Sequence, residues 1–182
     1  MVLQTRPVTV EEFERFVQLP ENRDKLFEYV GGRIVEVVSN NYSSEIGMFV
    51  GSMLTVFVDE RGLGHVTGAD GGYIVSGEKY IPDVGFISKQ RQPEPSHEAY
   101  NPNPPDLAVE VLSPSNDPHD MRIKIVNYLL AGTVVWVFDP DKRHVEVYVP
   151  NRPPKTIGIG GTLDGGDVLP GFTLAVRRVF DR

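Results

Sequence analysis

Residues 107–138 constrain the fold of this 182-residue chain more than any other stretch. Leu107-Ala-Val-Glu-Val-Leu is a nearly continuous apolar run, the pattern of a strand covered on both faces. A polar turn (Ser113-Pro-Ser-Asn-Asp) follows, and then a helical stretch from about Pro118 to Ala131. Asp117 suits the N-cap of that helix, Pro118 its first position and Gly132 its end. Thr133-Val-Val-Trp-Val-Phe is a second apolar strand, with Trp136 expected in the core. Two strands joined through a helix need a crossover, which sets them parallel in one sheet.

The rest of the chain supplies elements to build around this unit. Thr9 and Glu12 form a capping-box pattern ahead of Phe13, Phe16 and Val17, predicting a short helix from about Val10 to Gln18. Leu26 to Val38 reads as a hairpin turning at Gly31-Gly32. Apolar residues between Ser43 and Glu60 predict a longer helix, stopped by Gly62 and Gly64. Tyr80-Ile-Pro-Asp-Val-Gly-Phe-Ile reads as a strand, and the Pro-rich stretch 89–105 as an exposed loop. His144 to Val149 is a further strand after the Asp139-Pro-Asp-Lys turn, and short strands with tight turns fill the remainder. The predicted class is α/β, a mixed β-sheet core flanked by helices, in a single domain over 1–182.

Composition removes several function classes. Without cysteine there is no disulfide scaffold, thiolate metal site or cysteine nucleophile, which fits a reducing cytoplasm. No apolar run approaches the ~20 residues of a membrane span, and the N-terminus lacks the apolar stretch of a secretory signal. A cytoplasmic protein with no membrane partner is expected. The four histidines have no ligand spacing, and the Gly-rich stretches lack the Lys-Ser ending of a phosphate-binding loop. The net charge of −7 argues against a generic electrostatic DNA binder. Its distribution is uneven: residues 1–119 hold 9 basic and 18 acidic side chains, residues 120–182 hold 9 and 7.

Charges inside apolar strands are the chemical anomaly, because burying an unpaired charge is costly. Glu110 interrupts the 107–112 strand, and Asp83 stands between Pro82 and Val-Gly-Phe-Ile. Neighbouring strands could bring both to one sheet edge, and hard cations such as Mg²⁺ take oxygen ligands of this kind. Lys124, on the helix after the Glu110 strand, could supply the positive charge a phosphodiesterase needs, with Tyr128 on the same helical face. Read singly, each has a plainer explanation. Glu110 could pair with an arginine or lie at an edge, Asp83 could cap a strand, Lys124 could face solvent and Tyr128 could pack under its stem.

Taken together, Phe27 to Val37, Ile81 to Ser88 and the run from Pro104 to Tyr148 resemble the Uma family, bacterial proteins assigned as restriction endonucleases within the PD-(D/E)XK nuclease superfamily. The resemblance runs from about residue 9 to 175. It implies an αβββαβ core, a divalent metal (Mg²⁺ or Mn²⁺), Asp83 as the motif aspartate and Glu110 as the second acid, 27 residues on. The motif lysine belongs two positions after the second acid, but Leu112 stands there, and the resemblance passes its role to Lys124. Glu28 matches an acid the family keeps in the hairpin, for a metal or water contact or a solvent-facing place. Ser113 would bind a metal-bound water or cap the turn. The implied activity is Mg²⁺-dependent hydrolysis of DNA by a homodimer, with Asp83 and Glu110 holding the metal and Asp83, Glu110 and Lys124 catalytic. The alternative is a nuclease-fold module that binds as a dimer and does not cut.

Overall fold

A computed structural model of the chain describes residues 6–181. Helix α1 (Val10–Val17) carries the capping box in full, with the Glu12 N–H donating to Thr9 Oγ1 and the Thr9 N–H to the Glu12 carboxylate. Strands β1 (Phe27–Val30) and β2 (Arg33–Glu36) form the hairpin, with Gly31 and Gly32 both at positive φ in its turn. Helix α2 (Asn41–Arg61) starts at an Asn40 cap and ends at Gly62 in the left-handed region.

Next come β3 (Gly64–Thr67), β4 (Gly72–Val75), β5 (Glu78–Tyr80), β6 (Val84–Ser88), β7 (Tyr100–Asn101) and β8 (Leu107–Val111). Helix α3 (Pro118–Leu130) leads to β9 (Val134–Asp139), β10 (His144–Tyr148), β11 (Lys155–Gly158), β12 (Thr162–Asp164), β13 (Thr173–Ala175) and the short α4 (Arg177–Phe180). Asp117 caps α3 and Gly132 follows it at positive φ, as the spacing predicted.

The strands form two main sheets. One has the order β11-β10-β9-β8-β6-β3 and is antiparallel except for the parallel pair β8–β9 that α3 connects. Within it, α2, β3, β6, β8, α3 and β9 follow one another as αβββαβ. The other has the order β2-β1-β5-β4-β7, and β12–β13 is a separate pair. On one face of the larger sheet, Leu107, Val109, Val111, Trp136 and Phe138 pack with Ile46, Val50 and Leu54 of α2. On the other, Ala108, Val135 and Val137 pack with Tyr128 of α3 and with Val30, Tyr73 and Tyr80 of the smaller sheet. The alternation of β8 therefore turns Glu110 toward α3 and the hairpin.

Two expectations need correction. The stretch 80–87 is not one strand: β5 belongs to the smaller sheet and β6 to the larger, and Ile81-Pro82-Asp83 carries the chain between them. Pro82 has no N–H for a ladder, so the pairing breaks there. The stretch 89–105 is exposed at most positions, as its composition suggests, but it is not wholly loop. It contains β7, which pairs parallel to β4, and its Gln92 and Asn101 side chains are buried. No helix among the described residues is long and apolar enough to cross a membrane.

Candidate active site

The break between β5 and β6 creates the site. β6 pairs antiparallel to β8 with Val84 opposite Val109, and continuing that register by one residue sets Asp83 beside Glu110. Asp83 is therefore not embedded in a strand; it stands at the sheet crossing. Its Oδ2 accepts from the Val111 N–H at 2.6 Å, where β8 leaves its ladder with β6. Its second oxygen has no protein donor among the described residues. Gly47 of α2 passes so close that an added Cβ would lie 3.4 Å from the Asp83 Cβ.

Three further charged or polar side chains converge on Glu110 from α3 and β1. Lys124 is only 5% exposed, and its Nζ lies 2.8 Å and 2.9 Å from the two Glu110 oxygens. The same ammonium lies 2.8 Å from Glu28 Oε1, which also accepts from the Ile81 N–H at 2.6 Å. The Tyr128 hydroxyl donates to Glu110 Oε1 at 3.1 Å. Met121, Lys124 and Tyr128 are the buried residues of α3, and their spacing of three and four puts them on one stripe facing β8. Lys124 and Tyr128 thus both point inward, and Glu28 is buried and not solvent-facing.

Electrostatics follow from placing three carboxylates around one ammonium. Burial pushes the Glu110 carboxyl up to about 7 against the pull of Lys124, and Glu28 and Asp83 push the same way. Burial also raises Asp83, opposed by the Val111 N–H and Lys124. Burial alone would lower Lys124, but Glu110 and Glu28 outweigh it and hold the amine above the ordinary lysine range. Tyr128 is raised well above its usual value by burial and then by Glu110, so it stays a donor.

Glu28, Asp83, Glu110 and Lys124 open onto a cleft of about 200 Å³, with Tyr128 buried behind them. Its walls carry six acids (Glu28, Glu36, Asp83, Glu110, Asp117 and Asp120), with Lys124 the one lysine or arginine among the lining residues. Arg33 stands at the rim, paired with Asp120 and 3.7 Å from Asp117. No three carboxylate or imidazole groups form a ready-made metal cage among the described residues. The donor set still suits a hard divalent cation, because its carboxylate oxygens outnumber the positive charge present.

Ser113 lines the cleft but spends its hydrogen bonds in the turn, its N–H on Asn116 Oδ1 and its hydroxyl near Ser115 Oγ. Sequence reasoning passed over Asp120, although it precedes Lys124 by one helical turn and shares its face. It also passed over the Tyr80 ring, 5.7 Å from Lys124 Nζ. Leu112 packs against the core on the α3 side.

A family model described as "Putative restriction endonuclease", Uma2, matches residues 13–177. The chain belongs to the Uma2 family. The matched span includes Glu28, Asp83, Glu110, Lys124 and Tyr128. A crystal structure of a "putative nuclease belonging to DUF820" from Anabaena variabilis superposes with a TM-score of 0.83. The superposition covers 96% of this chain and 98% of that one, at 22% sequence identity. That likeness shows that the Uma2 chain shares the fold of that structure. No curated protein matches the sequence.

Proposed function

We propose that this Uma2 protein is a divalent-cation-dependent nuclease that hydrolyses DNA phosphodiesters at the Asp83–Glu110–Lys124 cleft. The observation that carries the reading is the inward course of Lys124. It leaves a helix, crosses the face of β8 and meets Glu110 on the side where Leu112 leaves no charge. A lysine with only a structural surface role would not be buried among carboxylates at the edge of a cleft.

Asp83 and Glu110 are the residues that would hold Mg²⁺ or Mn²⁺. Such a cation, when bound, polarises a phosphate oxygen and acidifies water. The chain's own groups do the rest. Lys124, itself largely shielded from solvent, places a fixed positive charge beside the cleft where negative charge develops on the phosphate. The Val111 N–H orients Asp83, and Tyr128 orients Glu110 by donating to it. Two cuts in a duplex need two such sites, so a homodimer is the expected working form.

A divalent-metal titration against duplex DNA, single-stranded DNA and RNA tests the reading, run on wild type, Asp83→Ala and Glu110→Ala. Metal-dependent cleavage of DNA by wild type, reduced at least about a hundredfold in both variants, is expected. Full activity in both variants would sink it.

The acidity of the cleft favours a second reading, a nuclease-fold module that binds as a dimer without cutting. Six carboxylates repel a phosphodiester unless a cation intervenes. Under that reading wild type leaves every substrate intact at any metal concentration.

A further inference from the structure

Glu28 belongs to a hairpin outside the αβββαβ set, yet it touches both halves of the site. One of its oxygens, Oε1, accepts from Lys124 Nζ at 2.8 Å and from the Ile81 N–H at 2.6 Å. Ile81 lies two residues before Asp83, on the segment that crosses between the sheets. A single buried carboxylate therefore ties the α3 lysine to the backbone that presents the aspartate.

The donor count at Lys124 gives this tie a further consequence. An ammonium has three protons, and Lys124 faces three acceptor oxygens, the two of Glu110 and one of Glu28. Whenever Glu110 turns its oxygens to another partner, Lys124, only 5% exposed, loses acceptors in a place where little water reaches to replace them. An ammonium stranded in that way is costly. Glu28 is the counter-charge that remains, and its Ile81 N–H bond holds it in place.

We propose that Glu28 is a positioning residue: it keeps Lys124 in the site when Glu110 engages a divalent cation, so that ammonium and cation do not compete for Glu110. This inference rests on the cation-dependent reading above. It assigns Glu28 an action through Lys124, distinct from direct contact with the cation.

A double-mutant cycle on the full chain separates these roles. Mn²⁺ affinity is measured by titration calorimetry in wild type, Glu28→Gln, Lys124→Met and the double variant, each checked for folding by circular dichroism. Glutamine keeps an oxygen for the Ile81 N–H, so the backbone link survives. Glu28→Gln is expected to weaken Mn²⁺ binding about tenfold when Lys124 is present and about threefold or less when it is methionine. Equal losses in both backgrounds would overturn the proposal, as would a wild type that binds no Mn²⁺.

Should Lys124→Met not fold, ¹⁵N NMR of the Lys124 ammonium in wild type and Glu28→Gln decides instead, with Lys124→Arg fixing the assignment. The protected signal should persist on Mg²⁺ addition in wild type and vanish in Glu28→Gln; a signal that persists in both overturns the proposal. DNA cleavage is scored separately. A wild type that binds Mn²⁺ but never cuts defeats the nuclease reading alone, and a cutting enzyme with an additive cycle defeats the positioning role alone.

Discussion

At Glu110 the chain places a carboxylate where only compensation lets it stay. Lys124 offsets its charge and Tyr128 fills a lone pair on Oε1. Replacing Lys124 by methionine leaves Glu28 and Glu110 buried without a counter-ion, a loss of roughly 3–5 kcal/mol in metal-free urea unfolding. Tyr128→Phe removes one donor from an acceptor that Lys124 still serves, so a smaller loss of roughly 1–2 kcal/mol is expected. pH gives an independent check. Folded Glu110 binds its proton more tightly than an exposed glutamate, so its contribution is full below the usual carboxylate range and is lost as pH rises through about 7. Metal-free stability of wild type relative to Glu110→Gln should therefore fall across that interval. A difference that stays flat or rises with pH would show that Glu110 is not held in this raised state.

At the scale of elements, α3 is the arm that delivers Lys124, and its N-terminus forms a wall of the cleft. Asp117 accepts from the His119 N–H at 2.8 Å, so Asp117→Ala should cost about 1 kcal/mol in chemical denaturation. This cap was legible in the sequence, as were the Gly31-Gly32 turn and the α1 capping box, because each is a local device with a fixed residue signature. The passage at Ile81-Pro82-Asp83 was not. Alternating residues on either side of it look like one strand, and only tertiary pairing decides that β5 and β6 enter different sheets. The Pro-rich 89–105 segment hid β7 for the same reason, since a two-residue strand has no periodicity of its own. In the site, Glu110 stood out because its strand was otherwise apolar. Lys124 was ambiguous, because nothing in α3 alone tells which stripe faces β8. The depth of Glu28 was hidden by a strand, β1, that is buried at three of its four positions instead of alternating.

At the scale of the molecule, the net charge of −7 and the acidic cleft make one prediction. An acidic surface gains little from counter-ion release on its own, so duplex DNA should bind poorly in EDTA. Ca²⁺, a hard cation with the same ligand preference, should raise affinity at least about tenfold in fluorescence anisotropy. Equal affinity in EDTA and Ca²⁺ would mean that DNA binds elsewhere on the surface.

In the proposed function, Lys124, arriving from a helix, completes a divalent-cation site with Asp83 and Glu110. Single-turnover cleavage of a labelled DNA duplex in Mg²⁺, comparing wild type with a folded Lys124→Met variant, tests it most directly. The site described here predicts Mg²⁺-dependent cleavage by wild type and a rate at least about a hundredfold lower in the variant. Cleavage at the wild-type rate by Lys124→Met, or no cleavage by wild type at any Mg²⁺ concentration, would contradict it.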